Sequence, residues 1–259
     1  MLCYTSAKIS ALQHFCYHRA NSPGTLPARH LLDAPHAAAI LYDQKKMTEM
    51  SAPMLSIDPA DHSARQVYKL MTGIIVPRPI ALVSTVDASG AANVAPFSFF
   101  CGVGSVPPTL LFCPALHGKE VDSAQRKDTL ANVEATGEFV VNVVSEAIAH
   151  AANITAAEVP PDVDEFALAG LTPIPSEVVR APRVAESPAH MECKVLQVIY
   201  TSRQPGGGVI VLGEIVRFHV REDLVDNFRV DLEGLDAVGR MAGNTWVRTR
   251  DRIELVRPK

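Results

Sequence analysis

The sequence predicts a mainly β, α+β protein: an antiparallel barrel, closed or split, decorated by a few helices. Three observations predict it. Short stretches rich in strand formers recur along the chain, with turn residues between them. The two longest, "HMECKVLQVIYTS" and "GVIVLGEIVRFHV", are joined through "RQPGGG", which suits a hairpin. Only a few helical stretches intervene, so most neighbouring strands must run antiparallel.

Taken in order, the chain divides at its start. Residues 1–55 read as a poorly ordered N-terminal extension and residues 56–259 as the folded domain. As far as residue 53 the only acids are Asp33, Asp43 and Glu49, and neither helical nor strand periodicity persists. The scattered Lys8, Arg19 and Arg29 allow a transit peptide, and Met47, Met50 or Met54 allow a later start. His14, Cys16 and His18 have a spacing that suits a metal on a helix, but in a disordered tail coincidence is the better explanation.

The domain's first hairpin is "PIALVSTV" (79–86), the turn cluster "DASG" (87–90), and "AANVAPFSFF" (91–100) running back. "TLLFC" and "EFVVNVV" add short strands. Between them "DTLANVEATG" reads as a helix in which Asp128 caps the start, Leu130 and Val133 share a face and Gly137 ends it. From Asn153 to Pro188 runs a proline-dotted excursion with no sustained period, expected to act as a lid or a partner-binding arm.

Composition narrows the function. The chain has 259 residues, 47% of them hydrophobic, and 24 Lys and Arg against 28 Asp and Glu give a net charge of -4, which offers no electrostatic case for nucleic-acid binding. No apolar run approaches the roughly 18 residues that span a bilayer, so no membrane partner is expected. Five cysteines without a CxxC pair argue against a disulfide framework and a zinc site, and point to a reducing, cytoplasmic compartment.

Familiar catalytic signatures are missing. In "CGVGSV" the last glycine place of GxGxxG is taken by Pro107 and no helix follows, so neither a Rossmann site nor a phosphate loop is supported. GxSxG, HExxH and EF-hand patterns are absent too. His117, His150 and His219 are single histidines of the kind more often structural than catalytic.

Two stretches nevertheless suit a ligand. Proline prevents "NVAPFSFF" from pairing fully on both sides, leaving backbone groups around Ala95 to Ser98 free either for a ligand or as an ordinary edge. "QRKDT" stands at a helix start, where free amides and the helix dipole favour an anion; Lys127 supplies charge, Thr129 a hydroxyl, and Asp128 the cap. By itself this second stretch reads as a capped surface helix; only beside the strand motif does it favour a phosphate.

In combination, "RPIALVSTVDASGAANVAPFSFFCGVGSVPPTLLF", "RKDTLANVEATGEFVVNV", "VDEFALAGLTPIP" and "VGRMAGNTWVRTRDRIELVRP" resemble the flavin reductase-like family, from about Tyr68 to Pro258. The resemblance implies an FMN-binding split barrel and a homodimer. It also implies that Asn93, Ala95, Pro96, Phe97 and Ser98 line the ring and ribityl part of FMN, with Ser84 and Thr85 nearby on the paired strand. Lys127, Asp128 and Thr129 then form the phosphate end. Arg78, Arg240 and Trp246 are further candidates for ring or nicotinamide contact.

The expected activity is hydride transfer from NADH or NADPH to flavin, with free flavin or a monooxygenase component as acceptor. No metal and no catalytic acid or base is required, because the flavin carries the chemistry. Two alternatives remain at this point: a flavoredoxin-like FMN electron carrier and a non-redox flavin-binding module.

Overall fold

The computed structural model describes residues 53–118, 126–160 and 163–258. The division expected at residue 55 and the histidines and cysteine at 14–18 therefore lie outside, or at the margin of, the described residues. From Asp58 onward the chain forms one compact unit.

Helix α1 (Ala64–Ile74) leads into strands β1 (Arg78–Pro79), β2 (Ala81–Val86), β3 (Ala92–Phe97), β4 (Phe100–Ser105) and β5 (Pro108–Phe112). Helix α2 (Asp128–Thr136), β6 (Glu138–Val143), α3 (Ala149–Ile154) and α4 (Glu165–Ala169) follow. The chain continues through β7 (Pro173–Ile174), β8 (Arg183–Val184), β9 (Ala189–Tyr200) and β10 (Val209–Val220). It closes with β11 (Val225–Asp226), β12 (Arg229–Val230), α5 (Leu232–Leu235), β13 (Val238–Arg240) and β14 (Trp246–Arg248). Among the described residues no helix is long and apolar enough to cross a membrane.

The main sheet has seven strands in the order β3-β2-β6-β9-β10-β5-β4, and every pairing in it is antiparallel. Laid flat, its edge strands β3 and β4 would stand roughly 29 Å apart at the usual strand spacing. Yet Ser98 and Phe99 alone connect them, a link of about 11 Å at most. The sheet must curl until its two edges approach. Side chains record the curl: Phe97 of β3 meets Phe112 of β5 with ring centroids 5.1 Å apart, and Phe112 meets Phe139 of β6 at 5.1 Å. The result is an antiparallel barrel split between β3 and β4.

Opposite faces of β2 serve two cores, which is why all six of its residues are buried. Ala81 and Val83 face inward with Phe97, Phe112 and Phe139, and α2 adds Leu130 and Val133. Leu82 faces outward with Val94, Phe166, Leu171 and Val184.

Two expectations are corrected here, and a third gains its structural setting. The stretch 91–100 is not one strand, because it breaks at Ser98–Phe99 where the barrel turns its corner. Asp128 is not the cap of α2: Lys127 occupies that position, no side chain caps the helix, and Asp128 is its first residue. The excursion from Asn153 to Pro188, expected as a lid or a partner-binding arm, packs on the sheet over part of its length, and Thr155 to Val159 with Glu165 wall the cavity described below. It buries Phe166, Leu171, Val179, Ala181 and Val184, and the sheet's outer face grips its backbone. The amides of Glu177 and Val178 donate to the buried Glu192 carboxylate at 2.8 and 2.7 Å, and the Val184 amide donates to Asn142 Oδ1 at 2.9 Å. Sequence periodicity misses such a layer because these bonds join residues far apart in the chain.

Candidate functional site

Among the described residues strand β3 pairs only with β2, so no strand covers its other edge there. That position explains Pro96: an edge strand tolerates a residue without an amide hydrogen. Along the open edge lies a cavity of about 330 Å³. Asn93, Ala95 and Pro96 form one wall, Lys127, Asp128 and Thr129 the floor, and the segment after α3 together with Glu165 the far side.

The floor is the start of α2. Leu130 and Ala131 amides already bond to the Lys127 carbonyl at 2.9 and 3.0 Å, as the first helical turn requires. The Asp128 and Thr129 amides precede that ladder and have no partner among the described residues. Beside them the Lys127 ammonium stands 6.0 Å from the Phe97 ring centroid and makes no ion pair among the described residues. Burial pushes its pKa below the ordinary lysine value, with Glu158 pulling the other way. An unpaired, half-buried cation beside two free amides fits an anion such as a phosphate.

The walls are held by a directed chain of side-chain hydrogen bonds. Asn132 Nδ2 donates to Thr85 Oγ1 at 3.0 Å, Thr85 donates to Asn93 Oδ1 at 3.3 Å, and Asn93 Nδ2 donates to Glu165 Oε1 at 2.7 Å. Thr129 adds a second donor to Asn93 Oδ1 at 2.9 Å. Burial raises the Glu165 pKa, and Asp128 and Asp164 add to it, against the lowering effects of its own amide and Asn93. A carboxyl held toward its neutral form is compatible with a phosphate nearby. Of the other acids around the cavity, Glu158 is engaged with His117 Nδ1 at 3.0 Å. Arg126 is committed to Glu134 at 2.6 Å.

Six of the ten residues singled out in the sequence thus line one cavity: Asn93, Ala95, Pro96, Lys127, Asp128 and Thr129. The other four do not. Thr85 stands behind the wall, orienting Asn93. Phe97 turns into the barrel core. Ser84, one residue from Thr85, projects to the opposite face, where it donates to the Pro182 carbonyl and accepts from Asn142 at 3.0 Å. Ser98 lies at the corner and accepts from Arg78 Nε at 3.3 Å. Arg78 itself is buried and donates to the Thr72, Ile75 and Met241 carbonyls at 2.8, 2.7 and 3.0 Å, so it is a structural clamp.

Sequence reasoning missed Glu165 and Asn132. Asn132 carries no signal apart from its helix. Glu165 follows Asp164, which caps α4 by accepting from the Ala167 amide at 3.1 Å, and Gly170 closes the helix in a left-handed conformation; these two ends are local clues to a helix there.

Comparison with known proteins adds the following. Residues 72–234 match the family described as flavin reductase like domain. The chain is 37% identical over 206 residues to an uncharacterized protein of Halalkalibacterium halodurans, covering 79% of this chain and 97% of that one. It is 39% identical over 190 residues to one of Aquifex aeolicus, covering 73% and 93%. Among solved structures it is similar to nitrilotriacetate monooxygenase component B of Bacillus cereus, with 38% identity, TM-score 0.74 and coverage of 79% and 100%. It is also similar to 2-nitrobenzoate 2-nitroreductase of Pseudomonas fluorescens, with 32% identity, TM-score 0.70 and coverage of 79% and 96%.

Proposed function

The chain belongs to the flavin reductase-like family, and from that premise we propose that it binds FMN and takes hydride from NADH or NADPH to reduce flavin. The observation that carries the reading is the Lys127 ammonium with the Asp128 and Thr129 amides, which have no partner among the described residues, opening into the same cavity as the outer edge of β3. Bound FMN supplies a ring that accepts hydride and releases electrons again.

The chain's own residues bind and orient. Lys127 and the two amides receive the phosphate. Asn93, fixed by Thr85, Thr129 and Glu165, presents an amide whose direction is already set. The outer edge of β3 at Ala95 and Pro96 would offer backbone groups to the polar edge of the ring, where negative charge develops on reduction.

Reduced flavin is then passed to a monooxygenase component or another acceptor, a reading supported by the similarity to a monooxygenase component B. The working form is a homodimer. Tyr68, Met71 and Ile74 of α1 and Val103 and Val106 around β4 are exposed apolar residues. Tyr68 meets Phe99 at 6.3 Å, which joins the two groups into one surface that a second copy would cover. A cytoplasmic location completes the reading, consistent with free Cys101, Cys113 and Cys193.

Stopped-flow bleaching of the bound flavin at about 450 nm, a band belonging to the cofactor, tests the assignment. Rapid bleaching by NADH or NADPH, with many turnovers when free FMN or FAD is supplied, is expected. A fully loaded protein that neither nicotinamide reduces would overturn it.

A further inference from the structure

One ionisable group in the cavity beside β3 has no partner charge. Glu165 is only 9% exposed, yet it lines the space that opens onto Lys127 and the start of α2. Among the described residues no cation lies within ion-pair distance of it. Asn93 Nδ2 donates to its Oε1 at 2.7 Å. That amide is fixed in direction, because the Thr85 and Thr129 hydroxyls both donate to Asn93 Oδ1, at 3.3 and 2.9 Å. Oε1 is thereby committed as an acceptor, so a proton on this carboxyl sits on Oε2.

The charges around Glu165 all favour that proton. Burial holds its carboxyl above the ordinary glutamate value, and Asp128 of α2 and the adjacent Asp164 add to the effect, against its own amide and Asn93. Elsewhere on the cavity wall Glu158 is engaged with His117 at 3.0 Å, and Arg126 with Glu134 at 2.6 Å. Lys127 is the one lining cation without an ion pair among the described residues. A bound phosphate monoester brings nearly two negative charges at neutral pH. An ionised Glu165 in the same cavity would repel it, whereas a protonated Glu165 would donate a charge-assisted O–H···O bond to it.

We infer that Glu165 is a proton-carrying donor: it meets the ligand's phosphate as a neutral carboxylic acid, so that binding draws a proton from solvent. The proton adds to the ionised carboxylate, and the uptake equals the fraction of Glu165 that was ionised before the ligand arrived. Affinity is highest where Glu165 is already protonated and falls as pH rises, by at most about tenfold per pH unit. The inference rests on the FMN reading above for the identity of the ligand.

Calorimetry of FMN binding in two buffers of different ionisation enthalpy counts the protons. It uses the full chain, Glu165→Gln, which keeps an acceptor for Asn93 and a donor for the phosphate, and Glu165→Ala, which keeps neither. The parent should take up more protons than Glu165→Gln, by up to about one per FMN; the phosphate's own ionisation is common to both. With riboflavin the two should not differ. Glu165→Gln should bind FMN more tightly than the parent, and Glu165→Ala about tenfold more weakly than Glu165→Gln, the effect of one lost hydrogen bond to a charged group. Riboflavin should lose less in Glu165→Ala. Equal proton uptake by the parent and Glu165→Gln, or Glu165→Ala binding FMN as tightly as Glu165→Gln, overturns the inference. Equal losses of FMN and riboflavin in Glu165→Ala also overturn it, since Glu165 would then only brace Asn93. Should the chain bind neither flavin, the FMN reading fails by itself, and inorganic phosphate decides the role of Glu165. Phosphate bound by the parent with an uptake that Glu165→Gln lacks upholds it; no binding, or the same uptake in both, overturns it.

Discussion

The Thr129 hydroxyl donates to Asn93 Oδ1 at 2.9 Å, and both residues are buried. This one bond ties the first turn of α2 to the edge strand of the barrel. Because Asn93 also donates to Glu165 at 2.7 Å, three elements distant in sequence are locked around one cavity. Lys127 differs from these residues in being spent on none of them.

The first prediction follows from that difference. Lys127→Ala should weaken FMN about 10- to 100-fold, the range for losing a charged hydrogen bond, while leaving riboflavin, which lacks the phosphate, nearly unchanged. Thr129→Val should instead cost about 1–3 kcal/mol of stability, because it leaves Asn93 with one donor fewer in a buried site. Titration with both flavins and a thermal melt separate the two effects. Equal loss of FMN and riboflavin in Lys127→Ala would place the phosphate elsewhere.

Glu165 gives a prediction with a pH sign. Its folded pKa is raised, chiefly by burial, so its contribution to stability is present below the unfolded carboxyl value and is lost as pH rises through the folded one. Glu165→Gln keeps an acceptor for Asn93 and removes the titration. Melts from acid to neutral pH should show the variant gaining on the parent as pH rises. FMN should bind it more tightly, since one carboxylate fewer faces the phosphate; weaker binding in a well-folded variant would count against the cavity.

His190 predicts the opposite slope on the outer face of the sheet. Its Nδ1 donates to Asn142 Oδ1 at 2.8 Å, the same atom that holds the Val184 amide. Burial, then Arg183 and His219, lower its pKa from 6.5 to about 4, against the pull of Glu192. Stability from the neutral ring is therefore complete above 6.5 and falls away as pH drops toward 4. The loss should amount to about 2 kcal/mol after screening. In His190→Asn the melting temperature should depend less steeply on pH across that window; an unaltered slope would assign the acid lability to other groups.

The exposed apolar surface predicts assembly. Ile74 is 77% exposed and Val106 95%, which is costly for a lone chain but ordinary for a buried interface. Light scattering at micromolar concentration should report a dimer with FMN bound, and Ile74→Lys with Val106→Lys should shift it toward monomer. An FMN-loaded monomer of the parent chain would remove the need for a partner copy.

Much of this was legible in the sequence. Strand formers bounded by turn residues located β2, β3, β5, β6, β9 and β10, because side-chain alternation and turn chemistry are local properties. Gly137 correctly ended α2, since its φ of 69° is a left-handed conformation that glycine adopts without strain. The structure brings "NVAP" and "RKDT" together, with Asn93, Ala95, Pro96, Lys127, Asp128 and Thr129 around one cavity.

Other facts waited for the fold. Which of Ser84 and Thr85 faces the site depends on strand register, and a shift of one residue exchanges them. Asp128 suits a cap by residue type, but the backbone angles put Lys127 at that position. Glu165 joins Asn93 across 72 residues, and Arg240 comes to Arg78 across the β1–β13 pairing. The sequence by itself determined the elements, the turns and the chemistry available at each position, because those follow from propensity and side-chain type within a few residues. The tertiary structure alone decided which groups converge and which charges are left unpaired, because the curl of a seven-stranded sheet brings distant residues together through contacts that no local pattern encodes.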